Sequence, residues 1–365
     1  MTSSTPEQPE SSAPQPPPTW AWANQPQPTQ TVETEPLEYH RLLRGAQSYK
    51  WWKPLLMVLI AGAIYIVFSV IISVIWMGIV FAGNPDLFTG SDPGAISKQL
   101  LDQLTLDTQN PLAVLMNLAT IALMIPSVIL AMLIMGMRPV GRIWSVATRI
   151  RWGMLGRFTG FAVLGVVVMN VTGVLFEVLF SLAEPAQSAM LSVPKDFDPN
   201  AALLSFAFVL LLVPIQATAE EVVFRGLFMQ VLGAWLKNPW FAILLPSLAF
   251  ALAHIYDIWG LAAVGLMGLV AAWLTWRTGG LEAAIAIHII NNIFAFGVMS
   301  TGLGGSTAQT ESAGGPGSLI GEVIGLSLFT WLVVRSFKKR GYGRSRIDLI
   351  RVPIAPQSAQ PLTGQ

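Results

Sequence analysis

The chain contains no cysteine, and that absence removes disulfides, thiolate zinc sites, a cysteine nucleophile and a cysteine-linked lipid anchor together. Charge is scarce as well. Asp, Glu, Lys and Arg make up 11% of the 365 residues, against about 25% in an average soluble domain. Three sequence signatures of hydrolases that work inside membranes, HExxH, Gly-x-Gly-Asp and Gly-x-Ser-Gly, are missing. Tyr256-Asp257 supplies half of an aspartyl pattern, but no second Asp falls in a span, and Asp257 reads as a loop residue. No apolar run precedes residue 50, so the first span is expected to act as an uncleaved signal anchor.

What is present is apolar, at 53% of residues, and it is gathered into blocks free of Asp, Glu, Lys and Arg, such as 54–85, 108–137, 199–219 and 258–276. Crossing the hydrocarbon core takes about 20 such residues. Lipid offers the backbone no hydrogen-bond partner, and the blocks lack the alternation of barrel strands, so the spans should be helices. The expected fold is an all-α polytopic membrane bundle with about eight transmembrane helices, near 54–82, 112–136, 155–182, 201–217 (helical on to about 235), 240–256, 258–276, 281–300 and 318–335. With the N-terminus in the cytoplasm, this arrangement leaves only Lys98 and Lys195 of the 21 basic residues outside, beside Asp86, Asp92, Asp102, Asp107, Glu184, Asp196 and Asp198. Both termini are therefore expected in the cytoplasm, in an inner (cell) membrane.

Residues 1–50 read as a disordered Pro/Gln-rich cytoplasmic tail, since the first 40 hold nine of the 25 prolines. Residues 51–200 supply three polar-poor helices, and 201–300 carry nearly all the intramembrane ionisable groups and form the expected catalytic core. A flexible Gly/Ser/Thr-rich loop and the last helix fill 301–340, and 341–365 form a basic and polar cytoplasmic tail. Its bland reading is an anchor against anionic lipid, and no aromatic platform accompanies it for nucleic acid.

Charges in hydrocarbon cost about 2.5 to 3.5 kcal/mol each on insertion scales, so each asks for a reason. Glu220, Glu221 and Arg225 stand within six residues. On a helix Glu221 and Arg225 share a face and can neutralise each other, which leaves Glu220 on an adjoining face as a desolvated base. Of three histidines, His40 lies in the tail, whereas His254 and His288 fall in spans; Phe250 and His254, and His288 and Asn292, are each four apart. Singly, each polar group is more often an interhelical tie or a helix cap. Together they suit hydrolysis: a carboxylate and an imidazole deprotonate water, while a second imidazole and an amide N–H stabilise an oxyanion. Helix rise places His288 about 10 Å and His254 about 20 Å from the cytoplasmic helix ends. Glu177, Asn117, Asn170 and Glu322 read as ties, Glu282 as a helix-start charge, and Pro214 as a kink in the fourth helix.

These residues, Glu220-Glu221 with Arg225, Phe250 with His254 and His288 with Asn292, resemble the EExxxR, FxxxH and HxxxN motifs of the CAAX prenyl endopeptidase and bacteriocin-processing (Abi) family. The resemblance covers Thr218 to Asn292 and implies an α-helical intramembrane protease. It implies that Glu220 and His254 activate water, that His288 and Asn292 bind the oxyanion, and that Glu221 and Arg225 support them. The implied partners are the bilayer and a membrane-embedded or lipid-anchored peptide, with no nucleic acid. Zinc is the one candidate cofactor, on Glu220, His254 and His288, although these lack paired ligand spacing and the resemblance points to a metal-free route. Two other classes compete: a proton-coupled transporter, and a noncatalytic immunity or scaffold protein.

Overall fold

The computed structural model describes residues 28–83, 94, 105–183, 193–303, 305–311 and 314–354. The apolar blocks fold as helices: α1 (Lys53–Gly83), α2 (Pro111–Ala122), α3 (Met124–Ile134), α4 (Trp152–Ala183), α5 (Pro199–Glu221), α6 (Met229–Trp235), α7 (Pro239–Leu252), α8 (Ile258–Thr278), α9 (Glu282–Ser300) and α10 (Pro316–Arg340). Helices α2, α5, α7 and α10 open on a proline, where the missing N–H has no intrahelical acceptor to lose. Asn110, Asp198 and Asn238 cap the first three by accepting N–H bonds from Ala113, Asn200 and Trp240. Asp257 accepts from Gly260 in the same way and starts α8.

Seven helical stretches are long and apolar enough to cross a bilayer, with α2 and α3 counted as one and α5 running on to α6. Helix α7 has only 14 residues, about 21 Å of rise against roughly 30 Å of hydrocarbon. Helix α7 stands beside the seven as a shorter apolar helix. Strand β1 (Thr29–Glu33) pairs antiparallel with β4 (Leu349–Pro353), and β2 (Leu37–Glu38) with β3 (Ser345–Arg346), so both ends lie on one face. The outward surface fits lipid: Val67, Ile71 and Val74 on α1 and Val171 and Val174 on α4 are more than half exposed.

Helices α4 and α10 pack most closely. Gly321 and Gly325 meet α4 at Met169, Gly173 and Gly165, where an added Cβ would collide with backbone. Glu177 of α4 accepts the N–H groups of Gly317 and Ser318 at 3.1 and 3.3 Å and so caps α10. Glu282 is more than a helix-start charge, because Arg151 grips it at 2.6 Å and also donates its backbone N–H at 2.9 Å. Helix α5 passes Pro214 unbroken as far as Glu221.

Two expectations about order need correcting. Residues 28–50 are not a disordered tail: besides β1 and β2 they form a 3-10 segment, Tyr39–Gly45, that buries Tyr39, His40, Leu42 and Leu43. The proline-rich composition behind that expectation belongs mainly to residues 1–27, which lie outside the described residues. The segment after α10 is likewise folded up to residue 354. Asp348 there is buried against Arg142, with contacts of 2.5 and 3.0 Å. The connection from α9 to α10 is tied down where it is described. Thr108 N–H donates to Thr307 O at 2.9 Å, Gln309 N–H to Leu106 O at 2.9 Å, and Asp257 N–H to Glu311 O at 2.8 Å. Of the outside charges, Asp86, Asp92, Lys98, Asp102 and Glu184 lie outside the described residues.

The docked N-terminal segment should make stability depend on pH. His40 is fully buried, its backbone carbonyl packed where Gly233 leaves room. Burial lowers the imidazole pKa, against the opposing pull of the Lys237 carbonyl and Glu38. The folded chain thus takes up fewer protons at His40 than the unfolded chain, and stability falls as pH drops below about 6.5. Burial would raise the Asp348 carboxyl, but hydrogen bonds from Arg142 and Arg346 outweigh it and hold the group below its usual range. Its contribution therefore persists until far more acid conditions. Melting in detergent between about pH 8 and 5.5 should show a falling midpoint, and His40→Gln should flatten that slope. An unchanged slope in His40→Gln would remove His40 as its source.

Candidate active site

The acidic pair sits at the end of α5, where the helix changes character. Val222–Phe228 follow as a wide π-type segment before α6 resumes, an irregularity often found at functional sites. Arg225 lies within it. Its Nη1 donates to Glu221 Oε1 at 2.8 Å, with both side chains 1% exposed. Glu220 points to an adjoining face, with its side chain 14% exposed, and Gln216, one turn earlier, donates Nε2–H to its Oε1 at 2.7 Å.

Helix α9 brings its histidine between the two carboxylates. His288 Nδ1 lies 2.7 Å from Glu221 Oε1, and its Nε2 lies 3.3 Å from Glu220 Oε2. Each ring nitrogen thus faces a carboxylate, and Arg225 supplies the cation beside the buried Glu221. Asn292, one turn on, donates Nδ2–H to Gln216 Oε1 at 3.3 Å. A polar chain therefore runs from Asn292 through Gln216, Glu220, His288 and Glu221 to Arg225, hydrogen-bonded at every link except the 3.3 Å contact between His288 and Glu220.

His254 joins this chain through a ring and not through a hydrogen bond. Phe250 is buried, with the Arg225 guanidinium 4.2 Å above its ring and His254 and His288 against it at 4.8 and 5.6 Å between centroids. The phenyl ring thus spaces the two histidines and shields the buried arginine. His254 Nδ1–H donates to Phe250 O at 2.8 Å, which leaves Nε2 as the acceptor nitrogen.

Two neighbours escaped the sequence reading. Gln216 could have been found, because it stands four residues before Glu220 on the same face. Tyr256 could not. Its ring stacks on His254 at 5.5 Å and 30°, its hydroxyl meets Gln309, and it feels the charge of Glu220. That arrangement depends on the α9–α10 connection folding back across the bundle end.

The donors do not fit a zinc ion. Glu220 and His288 are adjacent, but among the described residues no three His, Asp or Glu side chains converge around one point. A catalytic zinc takes three protein ligands, and Glu220, His254 and His288 do not form such a group.

Residues 201–294 match the Type II CAAX prenyl endopeptidase Rce1-like family. The Rce1-like segment is about a quarter of the chain and runs from α5 into α9, so Glu220, Glu221, Arg225, Phe250, His254, His288 and Asn292 all fall inside it. Gln216 and Tyr256 do too, while Gln309 lies beyond it. The chain is also similar to the uncharacterized protein YyaK of Bacillus subtilis (strain 168), with 27% identity over 178 residues, 47% of this chain and 56% of that protein. The match thus spans little more than half the length of this relative. No solved structure matches.

Proposed function

We propose that the chain is a CAAX-type intramembrane endopeptidase that cleaves membrane-embedded or lipid-anchored peptides with a water molecule activated by Glu220. The observation that carries this reading is the placement of a partly exposed carboxylate inside a bundle of apolar helices, with one oxygen accepting from Gln216 and the other 3.3 Å from His288 Nε2. Unlike Glu221, it is not consumed by an arginine. Glu220 takes a proton from water as the oxygen attacks the scissile carbonyl carbon, and delivers it to the leaving amine as the C–N bond breaks. His254 Nε2 accepts from the same water and fixes its direction. His288 Nε2–H and Asn292 Nδ2–H turn from Glu220 and Gln216 to the oxyanion when substrate enters. Glu221 and Arg225 hold the His288 ring from behind.

We place the enzyme in the cell (inner) membrane with both termini cytoplasmic. The basic residues gather at the face where β1 meets β4, which supports that orientation.

The test is hydrolysis by the full chain reconstituted in vesicles, assayed on peptides carrying a C-terminal lipid and on peptides with an apolar span. His254→Ala should lower the rate about 100-fold or more while insertion is unchanged. A fully active His254→Ala would refute its role in water activation. Proton-driven uptake lost with Glu220 would favour a transporter instead.

A further inference from the structure

Away from the carboxylates, α10 is flanked by two grooves that none of the site residues line. The larger, of about 700 Å³, lies between α8 and α10. Leu266, Val270 and Trp273 form one wall, Leu326 and Trp331 the other, and it ends at Arg335 and Lys338. The smaller, of about 490 Å³, lies on the α4 side between Phe161 and Leu332, and ends at Arg335, Lys339 and Arg340. Arg335 is common to both.

We propose that these grooves seat one anionic diacyl phospholipid, its phosphate on Arg335 and Lys338 and one acyl chain in each groove. The walls are apolar and belong to helices that face hydrocarbon, so the body of the ligand is a chain and not a polar solute. The head is cationic and uncompensated: among the described residues no ion pair joins Arg335, Lys338, Lys339 or Arg340 to a carboxylate. A zwitterionic lipid would bring its own ammonium towards these cations, whereas an anionic headgroup leaves the phosphate charge free for them. Arg335 is already aimed, with its guanidinium 5.6 Å over the Trp331 ring, where indole favours the membrane interface. Two apolar channels that meet at one arginine match a ligand with two chains leaving one headgroup.

The experiment counts lipids on the intact chain by native mass spectrometry after incubation with phosphatidylglycerol or phosphatidylcholine in mild detergent. The wild type should retain one phosphatidylglycerol and release phosphatidylcholine. Arg335→Gln/Lys338→Gln, two exposed positions whose loss leaves the fold intact, should retain it about 30-fold less well. Ser327→Phe fills the larger groove without touching a charge and should cause a comparable loss. Arg138→Gln/Arg149→Gln, which removes two cations outside both grooves, should change nothing. Equal retention of the two lipids, or undiminished phosphatidylglycerol on either groove variant, would overturn the site. Because the readout is bound lipid, it is decided whether or not the chain hydrolyses peptides.

Discussion

Glu220→Gln is expected to lower peptide hydrolysis by about 100- to 10,000-fold, the range associated with losing a general base, while the chain remains folded and inserted. The substitution keeps the size of the side chain and its ability to accept from Gln216, and it removes only the capacity to take a proton from water. His288 loses its charged partner at 3.3 Å but keeps Glu221 at 2.7 Å, so the ring stays where it is. Melting temperature and hydrolysis measured on the same preparation separate the possibilities. An inactive variant that melts like the wild type places the chemistry on Glu220. A variant that cleaves at the wild-type rate ends the glutamate mechanism, and the bundle then becomes a candidate for the binding or scaffold role, which survives a neutral side chain at this position.

The helices were legible because lipid imposes a simple rule, about 20 apolar residues for each crossing, and the chain obeys it in seven stretches. Charge parity called for a further span at the short apolar α7, beside the seven helices that reach the length of a crossing. The polar constellation could be read because each motif is a four-residue spacing that one helix face preserves. Angles between helices carry no such signature. Helix rise put His254 and His288 at different depths, and in the fold His288 lies within 3.3 Å of both carboxylates whereas His254 meets the cluster through the Phe250 ring. The role of Phe250 as a spacer and arginine shield depends on three helices meeting, which no single-helix pattern encodes. The π-type segment after Glu221 left no trace either, since its residues suit an ordinary helix. Order in residues 28–50 was hidden because their burial comes from partners far along the chain: Tyr39 Oη donates to Ile143 O, Arg142 binds Asp348, and His40 lies against Gly233. Composition averaged over a window dominated by prolines cannot register a few anchoring side chains.

The largest effect on stability is expected from Arg225→Met. Glu221 and Arg225 are each 1% exposed, and Glu221 Oε1 serves both Arg225 and His288. Removing the guanidinium leaves Glu221 buried without its cation, and breaking a buried pair on one side typically costs about 3 to 5 kcal/mol. It also takes away the cation above the Phe250 ring, 4.2 Å away, so the spacer between the histidines loses a contact. Unfolding in detergent should show the loss directly, accompanied by a fall in hydrolysis. That fall alone would be ambiguous, because a loosened site and an unfolded one both lose activity. Glu221→Gln/Arg225→Met resolves it: with both charges gone, a neutral pair of similar volume should recover most of the lost stability. Activity should stay low, because an amide oxygen at position 221 holds the His288 ring more weakly than a carboxylate. Were the double variant to regain full hydrolysis together with its stability, Glu221 and Arg225 would be scaffold only, and the positioning of His288 would have to come from Glu220 alone.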